Sequence, residues 1–245
     1  MIQGKLRGRR ILIEGAADSS TLRNKGFLGR NVGEKLSLDL VTSFVLLLRK
    51  KIEVRLHDDS LSVGQIEEIM SEEERKMAIA FDFLKVKGMR PLIRNGKLYA
   101  LEKNVIVHRD DEFVYFPIGR KRSFLLAITD AERNCIVYSI NRLNLKGRTR
   151  KGIDGGERDS RDSIDILQRK GMKVASGLKF GSEFRIYEGS SKHARYLMTT
   201  GNGLQARELV AKVRIAQSVR KTYIQAVVDS RTEEYVFFEV KWIRQ

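Results

Sequence analysis

The chain of 245 residues contains a second version of itself. Asp82-Phe-Leu-Lys-Val-Lys-Gly-Met89 is echoed by Asp165-Ile-Leu-Gln-Arg-Lys-Gly-Met172, with Asp, Leu, Lys, Gly and Met recurring at one offset of 83 residues. Further on, Ser123-Phe-Leu-Leu-Ala-Ile-Thr-Asp130 is echoed by Thr222-Tyr-Ile-Gln-Ala-Val-Val-Asp229 at an offset of 99 residues. Two echoes in the same order indicate duplication, so one supersecondary unit must be built twice. The offsets differ by 16 (83 against 99), so the second copy carries that many extra residues between its echoes. This reading assigns them to the region of Tyr187 and His193.

Periodicity and punctuation give a coarse map. An apolar helix is expected over Leu38–Arg49 behind Ser37, and a second over Glu72–Lys87, opened by a Ser71-x-x-Glu74 capping box and stopped by Gly88. Strands are expected near Leu98–Leu101, Phe113–Phe116, Phe124–Thr129 and Ile136–Ile140. In the second copy the pattern predicts a helix near Arg161–Lys170, strands near Phe184–Tyr187 and Arg195–Met198, a helix over about Leu204–Ala216, and strands Tyr223–Val228 and Tyr235–Trp242. Helices and strands mix within each copy, which argues for α+β: tandem repeats, the second a small α/β domain. The expected division is an N-terminal repeat at 1–146 (a helical part, 1–104, and a degenerate part, 105–146), a Gly-rich basic linker at 147–160 and a C-terminal repeat at 161–245.

The balance of 47 Lys and Arg against 31 Asp and Glu, a formal charge of +16, favours a polyanionic partner through counterion release. No apolar stretch reaches spanning length; Thr42–Leu48 is short and closed by Arg49-Lys50-Lys51. The start of the chain lacks a signal-peptide core, and Cys135 is alone, so a soluble cytoplasmic protein without an internal disulfide is expected. Metal chemistry fits poorly. Asp110-Asp111-Glu112 and Glu72-Glu73-Glu74 are adjacent runs of solvated charge, and His57, His108 and His193 lack ligand spacing. No cofactor and no metal are expected.

Three residues stand in specific local contexts. Tyr187 ends Gly-Leu-Lys-Phe-Gly-Ser-Glu-Phe-Arg-Ile-Tyr, His193 lies in Ser-Ser-Lys-His-Ala-Arg-Tyr, and Lys221 closes Val-Arg-Ile-Ala-Gln-Ser-Val-Arg-Lys. A phenol, an imidazole and an ammonium suffice to cleave RNA without a metal, because the 2′-hydroxyl is itself the nucleophile. Singly, each has an ordinary explanation: a strand-end Tyr, a surface His, a solvated Lys. In this order and context they resemble the archaeal tRNA-intron endonucleases, the tRNA-splicing endonuclease family. Leu22-Arg-Asn-Lys-Gly-Phe-Leu-Gly29 is similar to that family's early glycine-containing turn.

The resemblance implies a precursor-tRNA substrate with bulge-helix-bulge junctions, and attack of the 2′-oxygen to leave a 2′,3′-cyclic phosphate and a 5′-hydroxyl. Tyr187 is the implied base, His193 the implied acid and Lys221 the implied stabiliser of transition-state charge. A phenol with an ordinary pKa of about 10 needs a cationic neighbour to act as a base at neutral pH. By position, Arg214 and Trp242 match the family's pair that grips a bulge base, with Arg244 the alternative to Trp242; packing a terminal strand is an equally ordinary role for a Trp. The first copy is disarmed by alignment: Arg122 stands opposite Lys221, Leu101 opposite Tyr187, and the context of His108 does not match. A homodimer is implied, with Asp130 and Glu132 as acidic docking residues on the turn Thr129–Asn134, a turn whose composition also suits a plain hairpin. The alternative from a different class is a non-catalytic RNA-binding or structural subunit of a heteromeric endonuclease.

Overall fold

The chain begins with strands that alternate charged and apolar residues, β1 (Ile2–Arg7) and β2 (Arg10–Ile13), turned tightly at Gly8. These open a computed structural model that describes residues 1–26, 29–118, 123–144, 161–229, 231–232 and 234–243. After α1 (Ala16–Asn24) come β3 (Arg30–Val32), β4 (Lys35–Asp39), α2 (Leu40–Leu48), β5 (Ile52–Leu56), β6 (Asp59–Leu61), α3 (Val63–Glu68) and α4 (Glu72–Val86). The six strands form one sheet in the order β3-β4-β2-β1-β5-β6, antiparallel except where β1 runs parallel to β5. Helix α2 is buried from Leu40 to Leu46 and packs on α4 and β5.

The helix expected over Leu38–Arg49 is α2, and it begins two residues later, at Leu40, while α1 is a helix the sequence pattern does not announce. Ser37 and Leu38 continue β4, where Leu36 and Leu38 point into the core, and the helix starts only after Asp39. The Asp39 carboxylate accepts from the Thr42 backbone N–H at 2.8 Å and caps the helix. The capping box of α4 is present, with Ser71 Oγ accepting from Glu74 N–H at 3.2 Å and Glu74 accepting from Ser71 N–H at 2.8 Å. Strands β7 (Leu92–Arg94), β8 (Lys97–Ala100) and β9 (Lys103–Arg109) follow as an antiparallel meander.

The second half of the molecule contains β10 (Phe113–Tyr115), β11 (Ser123–Thr129), β12 (Cys135–Arg142), α5 (Arg161–Arg169), β13 (Met172–Ser176), a short 3₁₀ turn (Leu178–Phe180), β14 (Phe184–Glu188), β15 (Tyr196–Thr200), β16 (Gly203–Gln205), α6 (Ala206–Ser218), β17 (Thr222–Val228) and β18 (Tyr235–Trp242). Its strands run in the order β13-β14-β15-β17-β18-β12-β11. Neighbours are antiparallel except for β15 and β17, which are parallel because α6 carries the chain back between them. One face buries Ile186, Tyr196, Met198, Ile224, Ala226 and Phe237 against Ile166 and Leu167 of α5. The other face receives α6 through Leu209, Val213 and Ala216.

The first N–H groups of α6 have no side-chain cap at Gln205. Carbonyls of the β9–β10 turn accept them instead, Glu112 from Ala206 at 2.8 Å and Asp110 from Arg207 at 3.0 Å, while β10 pairs with β16 just before the helix.

By compactness, residues 1–107 and 129–135 form one unit, and 108–128 and 136–244 the other. The repeat boundary at 146 and 161 is of another kind: it follows the duplication in sequence, and the linker 147–160 lies outside the described residues. Gly88 and Gly171, matched in the first echo, both end their helical segments at positive φ, 69° and 75°. The sixteen extra residues of the second copy do not all fall around Tyr187 and His193. They are shared among the 3₁₀ segment, the β14–β15 loop and α6, since only residues 116–122 separate β10 from β11. Among the described residues no helix is long and apolar enough to cross a membrane.

Candidate active site

Register brings three distant stretches of sequence to one end of the second sheet. Ile186 of β14 pairs with Tyr196 of β15, and Tyr196 with Thr222 of β17. One step outward, Arg195 N–H donates to the Ile186 carbonyl at 2.8 Å, and Thr222 N–H donates to the Arg195 carbonyl at 3.0 Å. Tyr187, Arg195 and Lys221 therefore stand in one row at the mouth of three adjacent strands. At about 4.8 Å per strand, the Tyr187 and Lys221 backbones are on the order of 10 Å apart. Alternation turns this row away from Ile186 and Tyr196, which are buried in the α5-side core, and toward the α6 side.

His193 belongs to the loop 189–195 that joins β14 to β15 at this same end. Gly189 turns the chain with φ of 52°. Ser191 holds the loop shape: its N–H donates to the Glu188 carbonyl at 3.1 Å, its hydroxyl donates to the His193 carbonyl at 2.8 Å and accepts from His193 N–H at 3.3 Å. The backbone of His193 is thus fixed while its side chain is exposed. Lys221 leaves α6 with its N–H on the Ala216 carbonyl at 2.7 Å, after Arg220 at φ of 57°. Its ammonium donates to the Val219 carbonyl at 3.3 Å and lies 5.8 Å from the centre of the Phe180 ring.

Tyr187 has a cationic neighbour that sequence reading missed. Lys173 of β13 is its cross-strand partner, and the Lys173 ammonium sits 5.9 Å from the Tyr187 ring centre. Glu188 was also missed in this role. It accepts from the Tyr196 hydroxyl at 2.8 Å and pairs with the Arg195 guanidinium. The Tyr196 bond, joined by Arg195, holds the Glu188 carboxyl below its ordinary pKa. Burial, helped by the bond to Glu188, pushes the Tyr196 phenol up to about 12. Both couplings connect the end of β14 to the start of β15, the two residues that frame the His193 loop.

Of the base-gripping candidates, Trp242 ends β18 of this sheet and Arg214 is on α6. Trp242 pairs with Tyr138 of β12, and Tyr138 feels the charge of Arg214 on α6. Arg214 is exposed and Trp242 half-buried. Extending the β17–β18 register from Tyr223 and Val240 sets Trp242 beside Lys221. Arg244 lies outside the described residues. On the turn of the other unit, the Asp130 carboxylate accepts from Asn134 N–H at 2.8 Å and from Asn134 Nδ2 at 2.9 Å. Desolvation opposes its ionisation, but these bonds together bring its pKa below the ordinary value. Arg133 anchors the turn, 5.2 Å from the Phe44 ring and 3.7 Å from Glu67, and leaves Glu132 exposed.

In the first copy, His108 is on strand β9 rather than in a loop, with Nδ1 3.1 Å from Glu112. Leu101 is exposed in the turn that corresponds to the end of β14. Among the described residues no cluster of His, Cys, Asp and Glu is arranged to hold a metal ion.

The family model described as tRNA intron endonuclease, catalytic C-terminal domain, matches residues 165–241, and that described as tRNA intron endonuclease, N-terminal domain, matches residues 2–66. The chain is similar to a protein named tRNA-splicing endonuclease from Thermococcus gammatolerans, 38% identical over 82 residues, which are 32% of this chain and 48% of that one. A protein of the same name from Thermococcus onnurineus is 32% identical over 116 residues, 38% of this chain and 67% of the relative. Another, from Picrophilus torridus, is 24% identical across 93% of each chain. The match thus spans about half the length of the Thermococcus gammatolerans relative and nearly all of the Picrophilus torridus one.

Proposed function

Because the chain belongs to the tRNA intron endonuclease family, we propose that it is an endoribonuclease that excises introns from precursor tRNA at bulge-helix-bulge junctions without metal catalysis. The observation that carries this is the register that gathers Tyr187, His193 and Lys221 at one end of the sheet. The ribose 2′-oxygen forms a bond to the adjacent phosphorus as the bond from phosphorus to the 5′-oxygen breaks. Tyr187 accepts the 2′ proton, with the Lys173 cation beside its ring. His193 delivers a proton to the departing 5′-oxygen. Lys221 meets the charge that builds on the phosphoryl oxygens. The products are a 2′,3′-cyclic phosphate and a 5′-hydroxyl. Arg214 with Trp242 or Arg244 grips an extruded bulge base by stacking.

An intron has two ends, and one chain has one such site. The proposed working unit is therefore a homodimer with its first repeats as structural spacers, docked partly through Asp130 and Glu132. The test is to incubate the purified chain alone with an intron-containing precursor tRNA in EDTA. Expected are both cuts, with 5′ fragments ending in cyclic phosphate. Activity abolished by EDTA and restored only by metal, with the RNA shown to be folded, would sink the mechanism. No cleavage by the chain alone, but cleavage after a second kind of subunit is added, would favour the non-catalytic subunit.

A further inference from the structure

The motif Gly177–Tyr187 contains an aromatic residue that the proposed reaction does not use, Phe180. It ends the 3₁₀ turn Leu178–Phe180, between β13 and β14. The turn is locked at both ends. A side chain on Gly177 would strike the Ser182 carbonyl oxygen at 2.8 Å and the Phe184 backbone N at 2.9 Å, and Gly181 has φ of 65°. Arg185 Nε donates to the Ser176 carbonyl at 2.6 Å, and the Lys212 ammonium donates to the Gly181 carbonyl at 2.9 Å. A rigid platform results, with the Phe180 ring half-buried and Leu178 beside it 83% exposed.

Three cations surround that ring: the Lys179 ammonium at 5.0 Å from its centre, the Lys221 ammonium at 5.8 Å and the Arg185 guanidinium at 6.0 Å. The apolar surface of this ring and of Leu178 is thus bordered by three positive groups. Single-stranded nucleic acid has the complementary form, a flat apolar base joined to a phosphate. One of the three cations is the proposed stabiliser of the scissile phosphate, so the nucleotide that fits here is next to the cut.

We propose that Phe180 is a stacking platform for the base of a nucleotide flanking the scissile phosphate, with Lys179 and Arg185 holding the adjoining backbone. This rests on the reading of the chain as an RNA-cleaving enzyme and adds to it a base subsite separate from Arg214 and Trp242. The competing explanation is that the ring merely positions the Lys221 ammonium. Stacking makes affinity depend on the RNA base, whereas positioning does not.

The experiment measures binding of the full chain to a bulge-helix-bulge RNA made uncleavable by a 2′-deoxy substitution at the cut. Three forms are compared: the intact RNA, and RNAs with an abasic site immediately 5′ or 3′ of the scissile phosphate. For the wild type, one abasic site should weaken binding by about 5- to 100-fold. Phe180→Leu should weaken binding of intact RNA by the same factor and show no further loss with the abasic RNA. Phe180→Trp should restore affinity for intact RNA only. Equal binding of all three RNAs by the wild type overturns the proposal, whether or not Phe180→Leu folds. Multiplicative losses from Phe180→Leu and the abasic site overturn it too. Cleavage of ordinary all-ribose RNA by the wild type is scored separately: its absence refutes the enzymatic reading, and its presence together with no base dependence refutes only the platform.

Discussion

Between β8 and β9 the chain reverses in two residues, Leu101 and Glu102, both at positive φ (50° and 60°). Between β14 and β15, at the matching place in the second copy, it takes residues 189–195 to do so. Two successive positive φ values make a tight hairpin whose twist suits its strands, with no loop left to present a side chain. The longer connection has room for an imidazole and for Ser191 to fix the backbone beneath it. Similar strands therefore support one corner that presents His193 on a loop and one that presents no loop, and the difference is in what joins them. The same holds further along: α6 (Ala206–Ser218), which ends three residues before Lys221, lies between β16 and β17, whereas seven residues, 116–122, separate β10 from β11 in the first copy.

The comparison breaks most decisively at the two histidines. His193→Ala should lower cleavage by about 10²–10⁴-fold with little change in RNA affinity, whereas His108→Ala should stay within about twofold of wild type. Equal losses in single-turnover assays would refute the assignment of one armed and one disarmed copy. The proposed role of the first copy in assembly is tested next. Asp130→Lys with Glu132→Lys should weaken dimerisation by about tenfold or more and reduce cleavage with it. Light scattering decides this, and an intact, active dimer of the double variant removes the turn from the interface.

A smaller effect is expected at Glu188, which has no paired counterpart at the bare corner. Glu188→Gln should cost about 2- to 5-fold in rate by loosening Arg195 and Tyr196. The folded Glu188 pKa lies below 4.5, so its contribution to stability is complete above that pH and fades as the pH falls through the lowered value. Thermal unfolding should show wild type and Glu188→Gln converging in acid; a gap that widens instead would contradict the pairing. Finest of all are the turns themselves. Glu102→Gly should stabilise the protein by about 0.5–1 kcal/mol by relieving a positive φ, and Gly189→Ala should destabilise it by about 1 kcal/mol. Denaturant midpoints measure both, and a destabilised Glu102→Gly would mean the side chain of Glu102 has a role its geometry does not suggest.

What could be read from the sequence was what is local. The Ser71–Glu74 box, Gly88 and Gly171 act within one turn of a helix, and each ended or began its element where expected. The contexts of Tyr187, His193 and Lys221 are likewise continuous runs of chain. The expected start at Leu38 is two residues early because Leu38, buried on β4, reads as part of the apolar run that continues at Leu40 and Val41, whereas the helix starts only where the Asp39 carboxylate takes the Thr42 N–H. The short N-terminal strands β1 to β6 gave little signal among their charged neighbours. Lys173, Glu188 and Phe180 escape a sequence reading for a different reason: Lys173 and Glu188 acquire their meaning from neighbouring strands, and Phe180, in a 3₁₀ turn, from cations that include the distant Lys221, none of which periodicity within a single strand reveals. The sixteen surplus residues were misallotted for the same cause, since offsets count residues but do not say which element absorbs them.

The support of α6 by the Asp110 and Glu112 carbonyls, and of β18 by β12, has a consequence for how such a gene can be divided. Residues 161–245 carry the whole candidate site, yet expressed alone they would start α6 with free N–H groups and leave the eight-residue, largely buried strand β18 as a bare edge. Such a fragment would seek another chain to cover it. Severed at the linker, this protein would become two polypeptides that must find each other, and so the covalent joint sets the stoichiometry of the pieces rather than supplying their fold.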